Sequence, residues 1–247
     1  MVSKSVLIIL GSGLYDLFAR ETEKPFYVET PFGESQVSKL RKAGCNAYLM
    51  MRHGRKHTIP PHLINYRANI SVAKELKTDC IIATASVGSL SRKITVGDYV
   101  VIDQFIDFTK NRPTSVFYDR PENFAHTDMT NPYSSKVRNS LISALKDIGV
   151  RFHSKGTYVC TEGPRFETPA EIRMYRKLGA DVVGMTGVPE VIIANELGIP
   201  YASLCHVTNM AAGLQSGVSQ SEVEVQMKRS LGETKSILVH SIRELTR

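Results

Sequence analysis

The segment from residue 52 to residue 57 has the densest group of chemically active side chains in the sequence. Two arginines, two histidines and a lysine occur there within six positions, interrupted only by Gly54. Arginine can donate two parallel hydrogen bonds to a phosphate, so this composition favours an anion site over a solvated basic loop. A metal site at His53, His57 and His62 is a third possible interpretation of this segment. It is disfavoured because these histidines span a loop with glycine and proline, without cysteine or acidic co-ligands nearby.

Three further turns carry residues suited to ligand binding. Residues 11–13 read Gly-Ser-Gly, but Asp16 replaces the third glycine of a dinucleotide-binding fingerprint. A small anion or a plain turn is expected there instead. Thr186 stands where a helix should begin, which suits either a phosphate or a helix cap. Phe166 lies just after a Gly-Pro pair and could stack on a planar ligand or anchor the core.

Composition and charge exclude several classes of protein. The chain has 247 residues, 42% hydrophobic and 22% charged, which suits one large α/β domain. The formal net charge is +7, but lysine and arginine are scattered and tryptophan is absent. Because no aromatic-plus-basic RNA-binding motif occurs, we expect no nucleic-acid partner. The basic balance fits either small anionic ligands or an ordinary, mildly basic surface.

The cysteines and the N-terminal residues indicate the cellular compartment in which the protein is found. Cys45, Cys80, Cys160 and Cys205 are far apart and form no Cys-x-x-Cys pair, as is typical of free thiols in a reducing compartment. The first apolar run, residues 6–10, is too short for a signal peptide or a membrane span. We therefore expect a cytoplasmic protein without membrane association.

Hydrophobic periodicity predicts alternating strands and helices. Strands are predicted at residues 6–10, 47–51, 80–84, 99–102, 157–160, 182–183 and 201–207. Helices are predicted at residues 65–76, 134–148, 188–197 and 221–245. One more begins after Thr168, with Pro169 in the first turn and Glu171 completing a capping box. Residues 110–132 read as a long ordered loop, which is often functional. The alternation predicts an α/β fold with a parallel or mixed sheet.

Several predicted strands end in turns of small and polar residues. These turns are residues 11–13, 52–54, 86–89, 161–163 and 208–209. In α/β folds, ligands bind beyond the carboxyl ends of the strands. We therefore expect these turns to meet at one edge of the sheet and to form a single site.

These motifs, in this order, resemble the trimeric purine nucleoside phosphorylase and methylthioadenosine phosphorylase family. The resemblance is collinear from Val6 to about Ala212 and is carried by residues 11–14, 52–54, 65–69, 162–168, 180–186 and 188–190. It implies a homotrimer whose residues 1–247 form one domain, a three-layer α/β fold with a central mixed sheet flanked by helices. It also implies that inorganic phosphate is the co-substrate and that no metal or organic cofactor is needed.

The resemblance further implies roles for individual residues. Phosphate would be held by Ser12, Arg52, His53, Ala85, Ser86 and Thr186. Arg55 and His57 match phosphate ligands of the inosine and guanosine branch, which leaves open which Arg-His pair dominates. Met185 would pack under the ribose, and Phe166 would flank the base. His126, in the long loop, would enter the 5′ pocket of a neighbouring subunit.

The choice of purine depends on donors and acceptors. A 6-oxopurine carries hydrogen on N1, which a Glu167 carboxylate can accept, whereas adenine presents a bare N1. Asn209 can donate its amide N–H toward N7 or O6 and so stabilise charge that develops on the leaving base. The adenine-specific branch has aspartates at the positions of Asn209 and Ala211, which are absent here. A buried mismatch of this kind rejects the wrong base, so a 6-oxopurine is preferred.

The choice of sugar depends on the segment after Asn209. The inosine and guanosine branch has a histidine there for the 5′-hydroxyl, but residues 210–226 contain none. The segment is largely apolar, with Val218 and Val223, and is similar to that of methylthioinosine phosphorylases. S-methyl-5′-thioinosine is therefore the preferred substrate. The alternatives are an inosine/guanosine phosphorylase, a methylthioadenosine phosphorylase, a non-catalytic purine- or anion-binding protein and a hydrolase.

Overall fold

The computed structural model describes residues 4–42, 44–119, 122 and 124–247, and the strands in these residues form one mixed sheet of eleven. The strands are β1 Val6–Leu10, β2 Phe26–Thr30, β3 Gly33–Lys39, β4 Ala47–Met51, β5 Cys80–Ser89, β6 Tyr99–Val101, β7 Gln104–Phe108, β8 Phe152–His153, β9 Thr157–Thr161, β10 Val182–Gly184 and β11 Tyr201–Met210. The helices are α1 Tyr66–Glu75, α2 Ser135–Ile148, α3 Pro169–Lys177, α4 Gly187–Glu196, α5 Gln220–Arg229 and α6 Leu231–Leu245.

The sheet has a gap along part of one edge of β5, between the residues that pair with β1 and those that pair with β10. On one side of β5, β11 pairs in parallel along nearly its whole length. On the other side, β1 pairs in parallel with residues 80–83, and β10 pairs antiparallel with Gly88 and Ser89. Within the described residues, the intervening positions 84–87 therefore have no strand partner on that side. Because β1, β4, β5 and β11 run in the same direction, their carboxyl ends meet beside this opening.

Helices cover both faces of the sheet and give the predicted three layers. Successive residues of a strand point to opposite faces, so Ile9 and Ala83 join one core cluster with α1 and α4, while Ile8 and Ile82 join another with α2, α5 and α6. β1 is buried at every position, as its continuous apolar run predicts for a parallel strand covered on both faces. The α/β fold with a central mixed sheet flanked by helices is confirmed.

Local sequence signals locate several helix ends correctly. Asn65 precedes α1, and its side chain accepts a hydrogen bond from the Ala68 amide. Thr168 and Glu171 form the predicted capping box before α3. Gly149 ends α2 in a left-handed conformation with φ of 78°, which glycine adopts without steric cost. The described part of residues 110–132 contains neither an α-helix nor a strand, as predicted.

Two of the predicted turns are wrong, because β5 and β11 continue through them. Residues 86–89 extend β5, and residues 208–209 belong to β11. Their small and polar side chains are typical of turns, but here their backbones pair with each other, as in the match of Asn209 with Gly88. The two strands therefore carry site residues along their length as well as at their ends.

The prediction of one long C-terminal helix is also wrong. The chain forms α5 and α6, which meet at Ser230, whose hydroxyl donates to the Met227 carbonyl. Strands β2, β3, β7 and β8 were not predicted. β2 and β3 form an antiparallel hairpin with mostly exposed or half-buried side chains, so they lack the apolar run that marks a buried strand.

The four cysteines are buried as free thiols. In the part of the chain that the structure describes, no helix has the length and apolar character needed to cross a membrane.

Candidate active site

A cavity of about 470 Å³ lies at the opening beside β5. This volume is in the ordinary range for small-molecule sites. The sequence-predicted site residues that line it are Ser12, Arg52, His53, His57, Ala85, Ser86, Phe166, Glu167, Met185, Thr186, Asn209 and Ala211. Arg55 and His126 do not line it. Of the five segments predicted to form one site, residues 11–13, 52–54, 86–89 and 208–209 contribute to this cavity, whereas residues 161–163 do not line it.

Arg52 is buried at one end of the cavity and is held by a carboxylate. Its Nε and Nη2 donate to the two oxygens of Glu190 at 2.5 and 2.9 Å, and its Nη1 donates to the Thr84 carbonyl at 2.7 Å. Burial by itself lowers the pKa of Arg52, but Glu190 more than offsets this and keeps the guanidinium charged. Two of its five N–H groups, one on Nη1 and one on Nη2, remain for a ligand, so Arg52 can still bind an anion.

Glu190 is a functional residue whose role sequence reasoning missed. It is fully buried in α4, and Tyr201 also donates a hydrogen bond to it at 2.7 Å. A lone carboxylate in the apolar segment 188–194 could have signalled a buried partner, because such a charge is rarely buried unpaired. The partner itself lies 138 positions away, so no local pattern identifies it.

His53 presents a hydrogen-bond acceptor to the cavity. Its Nδ1 lies 2.8 Å from the Ile59 carbonyl oxygen. A carbonyl can only accept, so Nδ1 carries the hydrogen, and Nε2 of the neutral ring is an acceptor. Burial, assisted by the charge of Arg52, lowers the pKa of His53 to about 4. The ring is therefore neutral near pH 7 and suits a protonated oxygen of an oxyanion.

The second predicted pair is divided between two cavities. His57 stacks on His53, with ring centroids 4.7 Å apart, and lines the main cavity. Arg55 is exposed and instead lines a neighbouring cavity of about 550 Å³. Arg52 lines both cavities. The geometry thus favours Arg52 and His53, with His57 beside them, over Arg55 as the groups nearest a bound anion.

Thr186 offers its hydroxyl rather than the helix amides. It occupies the N-cap position of α4, but its side chain makes no capping hydrogen bond. The amides of Thr186 and Gly187 donate to the buried Tyr158 hydroxyl at 3.2 and 3.4 Å. These two amides are therefore not free for an anion. The Ser86 hydroxyl, also in the lining, is buried without a hydrogen-bond partner in the described residues.

Glu167 provides a half-buried acceptor in the same cavity. One carboxylate oxygen accepts a hydrogen bond from the Thr161 hydroxyl at 2.6 Å. Burial raises the pKa of Glu167, while the Thr161 hydrogen bond opposes that rise. The remaining lone pairs can accept from a ligand N–H whenever the group is ionised.

The side-chain amide of Asn209 has a fixed orientation. Its Nδ2 donates to the Met210 carbonyl at 3.0 Å, and its Oδ1 accepts from the Thr208 hydroxyl at 2.9 Å. One amide hydrogen is left over, so Asn209 can donate to a ligand. Space beside this amide depends on Gly88, since a Cβ atom there would lie 3.1 Å from Nδ2.

Hydrophobic surfaces complete the cavity. Met185, Phe166, Pro60 and Pro61 line it, as do Val218, just before α5, and Val223, within α5. Pro60 and Pro61 were not singled out from the sequence. Gln220 was also missed, and it places one amide in a segment predicted to be apolar. The Gln220 Nε2 donates to Glu224 at 3.3 Å.

His126 lies on the exposed long loop, away from this cavity. Its ring contacts Phe124 edge-on, with centroids 5.4 Å apart. A role in a neighbouring subunit stays a prediction. In the described residues, no group of three histidine, cysteine or acidic side chains is placed to hold a metal ion.

Comparisons with known proteins agree with this geometry. Residues 5–243 match the family model described as the phosphorylase superfamily. The 6-oxopurine nucleoside phosphorylase of Pyrococcus furiosus is 47% identical over 241 residues, which cover 94% of this chain and 90% of that protein. A probable S-methyl-5′-thioinosine phosphorylase of Methanothermobacter thermautotrophicus is 44% identical over 242 residues, with 96% and 83% covered.

A solved structure gives the same result for the fold. The methylthioadenosine phosphorylase of Schistosoma mansoni in complex with adenine has a TM-score of 0.90 and 31% identity, and the match covers 97% of this chain and 90% of that one. The resemblance predicted from the sequence motifs is confirmed. The chain belongs to the phosphorylase superfamily.

Proposed function

We propose that this protein is a phosphorylase of 6-oxopurine nucleosides and that S-methyl-5′-thioinosine is its preferred substrate. The products are hypoxanthine and 5-methylthioribose 1-phosphate. One observation carries the proposal: a single cavity contains the Glu167 carboxylate as acceptor, the oriented Asn209 amide as donor, and the buried Arg52 cation. These groups match the N1–H of a 6-oxopurine, its N7 or O6, and a phosphate.

The mechanism is a displacement at C1′. A phosphate oxygen forms a bond to C1′ while the bond from C1′ to the purine N9 breaks and its electron pair moves onto the base. Asn209 donates to N7 or O6, where that charge develops, so it binds the transition state better than the nucleoside. Arg52, His53 and Thr186 position the phosphate, whose negative charge stabilises the cationic sugar. No protein nucleophile and no metal or organic cofactor is required.

The valines favour a methylthio group at the 5′ position. Val218 and Val223 line the cavity, and the amide of Gln220 is already hydrogen-bonded to Glu224. Gln220 also favours a second candidate, an inosine/guanosine phosphorylase, because its amide could bind a 5′-hydroxyl after leaving Glu224. The relatives named as 6-oxopurine nucleoside phosphorylases are consistent with both candidates.

The assembly proposed is a cytoplasmic homotrimer with one domain over residues 1–247. Exposed apolar side chains support subunit contacts: Leu63, Tyr118 and Phe124 are 67%, 68% and 63% exposed in the single chain. Phe124 and His126 lie on the same loop, which suits the predicted entry of His126 into a neighbouring 5′ pocket. Light scattering coupled to size-exclusion chromatography tests the trimer, and a monomer would refute it.

The reaction type is tested by following phosphate directly. Incubation with methylthioinosine and inorganic phosphate is expected to produce a sugar 1-phosphate resonance in the ³¹P spectrum, in step with hypoxanthine release. Release that continues at the same rate without phosphate would indicate a hydrolase. Binding of hypoxanthine without any release would indicate a non-catalytic purine-binding protein.

A further inference from the structure

We propose that Arg112, on the long loop, is a positioning residue that holds three parts of the cavity wall together and sets nucleoside affinity without contacting phosphate. Arg112 is 6% exposed and does not itself line the cavity. Its partners, however, belong to the segments that would bind ribose and base. The inference rests on the proposed function.

Both terminal nitrogens of the Arg112 guanidinium are fully hydrogen-bonded within the protein. Its Nη1 donates to the Met185 carbonyl at 2.6 Å and to the Tyr66 hydroxyl at 3.1 Å. Its Nη2 donates to the carbonyls of Thr161, at 3.2 Å, and Glu162. These four bonds use every terminal N–H of the side chain. Arg112 therefore differs from Arg52, which keeps N–H groups for a ligand.

Each partner connects Arg112 to a different part of the cavity wall. Met185 is itself in the lining, at the predicted ribose position. Thr161 ends β9, and its hydroxyl holds the base-recognising carboxylate of Glu167. Tyr66 donates to the carbonyl of Pro61, which lines the cavity from the segment between β4 and α1. One planar group thus determines the relative positions of three separate segments.

The charge of Arg112 is compensated locally. Its Nε lies 3.2 Å from Oε2 of Glu162, and the same oxygen accepts a hydrogen bond from the Lys110 amide at 2.9 Å. A buried cation costs free energy unless it is paired and hydrogen-bonded, and both conditions are met here. The pairing also connects the start of the long loop to the end of β9.

Lysine is an informative substitution at this position. It preserves the charge but replaces a rigid planar fork with a single ammonium group, which cannot serve four acceptors in one plane. Arg138 supplies a matched control, because it also donates to two backbone carbonyls, those of Ile102 and Ser154, but outside the cavity lining. Misplacement of reacting groups by about 1 Å can cost on the order of 100-fold in rate.

The test compares Arg112→Lys with Arg138→Lys by calorimetry and kinetics. For Arg112→Lys we expect hypoxanthine affinity and nucleoside kcat/KM to fall by about 10- to 100-fold, with phosphate affinity within about twofold of wild type. Arg138→Lys should leave all of these unchanged. Equal loss of hypoxanthine and phosphate affinity, or loss of neither, would overturn the inference.

Two further measurements keep the outcome decisive. Tyr66→Phe removes the hydroxyl that joins Arg112 to Pro61 and leaves the bonds of Arg112 to Met185, Thr161 and Glu162 in place. It should weaken nucleoside binding by about 3- to 10-fold in a folded protein, even if Arg112→Lys does not fold. The methyl resonance of labelled Met185 should shift in Arg112→Lys and not in Arg138→Lys, whether or not ligand is present. If wild type binds hypoxanthine but releases no base, the proposed function fails, whereas the binding and resonance comparisons still decide the role of Arg112.

Discussion

Replacing Asn209 with aspartate should reverse the preference for the purine base. Asn209 is 5% exposed, and its Nδ2 faces the Met210 carbonyl, so the substitution puts an acceptor against an acceptor and removes the donor to N7 or O6. Loss of one donor aimed at developing charge costs about 2.7–4 kcal/mol, or 100- to 1,000-fold in rate. A 6-aminopurine loses less, because its amino group can donate to the new carboxylate.

The assay measures kcat/KM for methylthioinosine and methylthioadenosine with wild type and Asn209→Asp. We expect the ratio of the two constants to shift toward methylthioadenosine by about 100-fold or more. Asn195→Asp is the control, since the Asn195 Nδ2 also donates to backbone carbonyls, those of Pro132 and Val191, but away from the cavity. An unchanged ratio in Asn209→Asp would refute the role assigned to this amide.

Three further predictions concern charge and protonation. Burial raises the pKa of Glu167, and protonation weakens its acceptance from N1–H and gives it an O–H that can donate to the bare N1 of a 6-aminopurine. The preference for 6-oxopurines over 6-aminopurines should therefore shrink as the pH falls from 7 toward the ordinary glutamate pKa of about 4.3, and a flat pH profile of the ratio would contradict this. Glu190→Gln should lower the free energy of unfolding in urea by about 3–5 kcal/mol, since Arg52 stays buried without its counter-charge, whereas Glu171→Gln, at a more exposed pair, should cost less than about 1 kcal/mol. Neutral His53 accepts a hydrogen bond from a protonated oxyanion, so phosphate should bind more tightly than sulfate. His53→Ala should narrow that difference in affinity by about tenfold, and an unchanged difference would contradict this role of His53.

The parts of the fold that sequence predicted well are those specified locally. β1 and β4 are short apolar runs bounded by turns, and the capping box before α3 is formed by neighbouring residues. The ends of β5 and β11 were mistaken for turns because their small and polar residues favour turns. Pairing between the two strands overrides that preference.

In the candidate site, too, the sequence predicted residues that belong to local motifs and missed contacts between distant segments. Motif order identified the residues of the cavity lining, but not the buried ion pairs behind it. Glu190 is 138 positions from Arg52, and Arg112 is 46 positions from Tyr66 and 73 from Met185. Such contacts depend on the packing of distant segments, and no short-range pattern encodes them.

The most direct test of the proposed function is base release from methylthioinosine, inosine and methylthioadenosine, measured side by side with and without phosphate. The roles of Glu167, Asn209 and the two valines predict phosphate-dependent release that is fastest with methylthioinosine. Faster release from methylthioadenosine would contradict the account of base recognition, and release without phosphate would contradict the reaction itself.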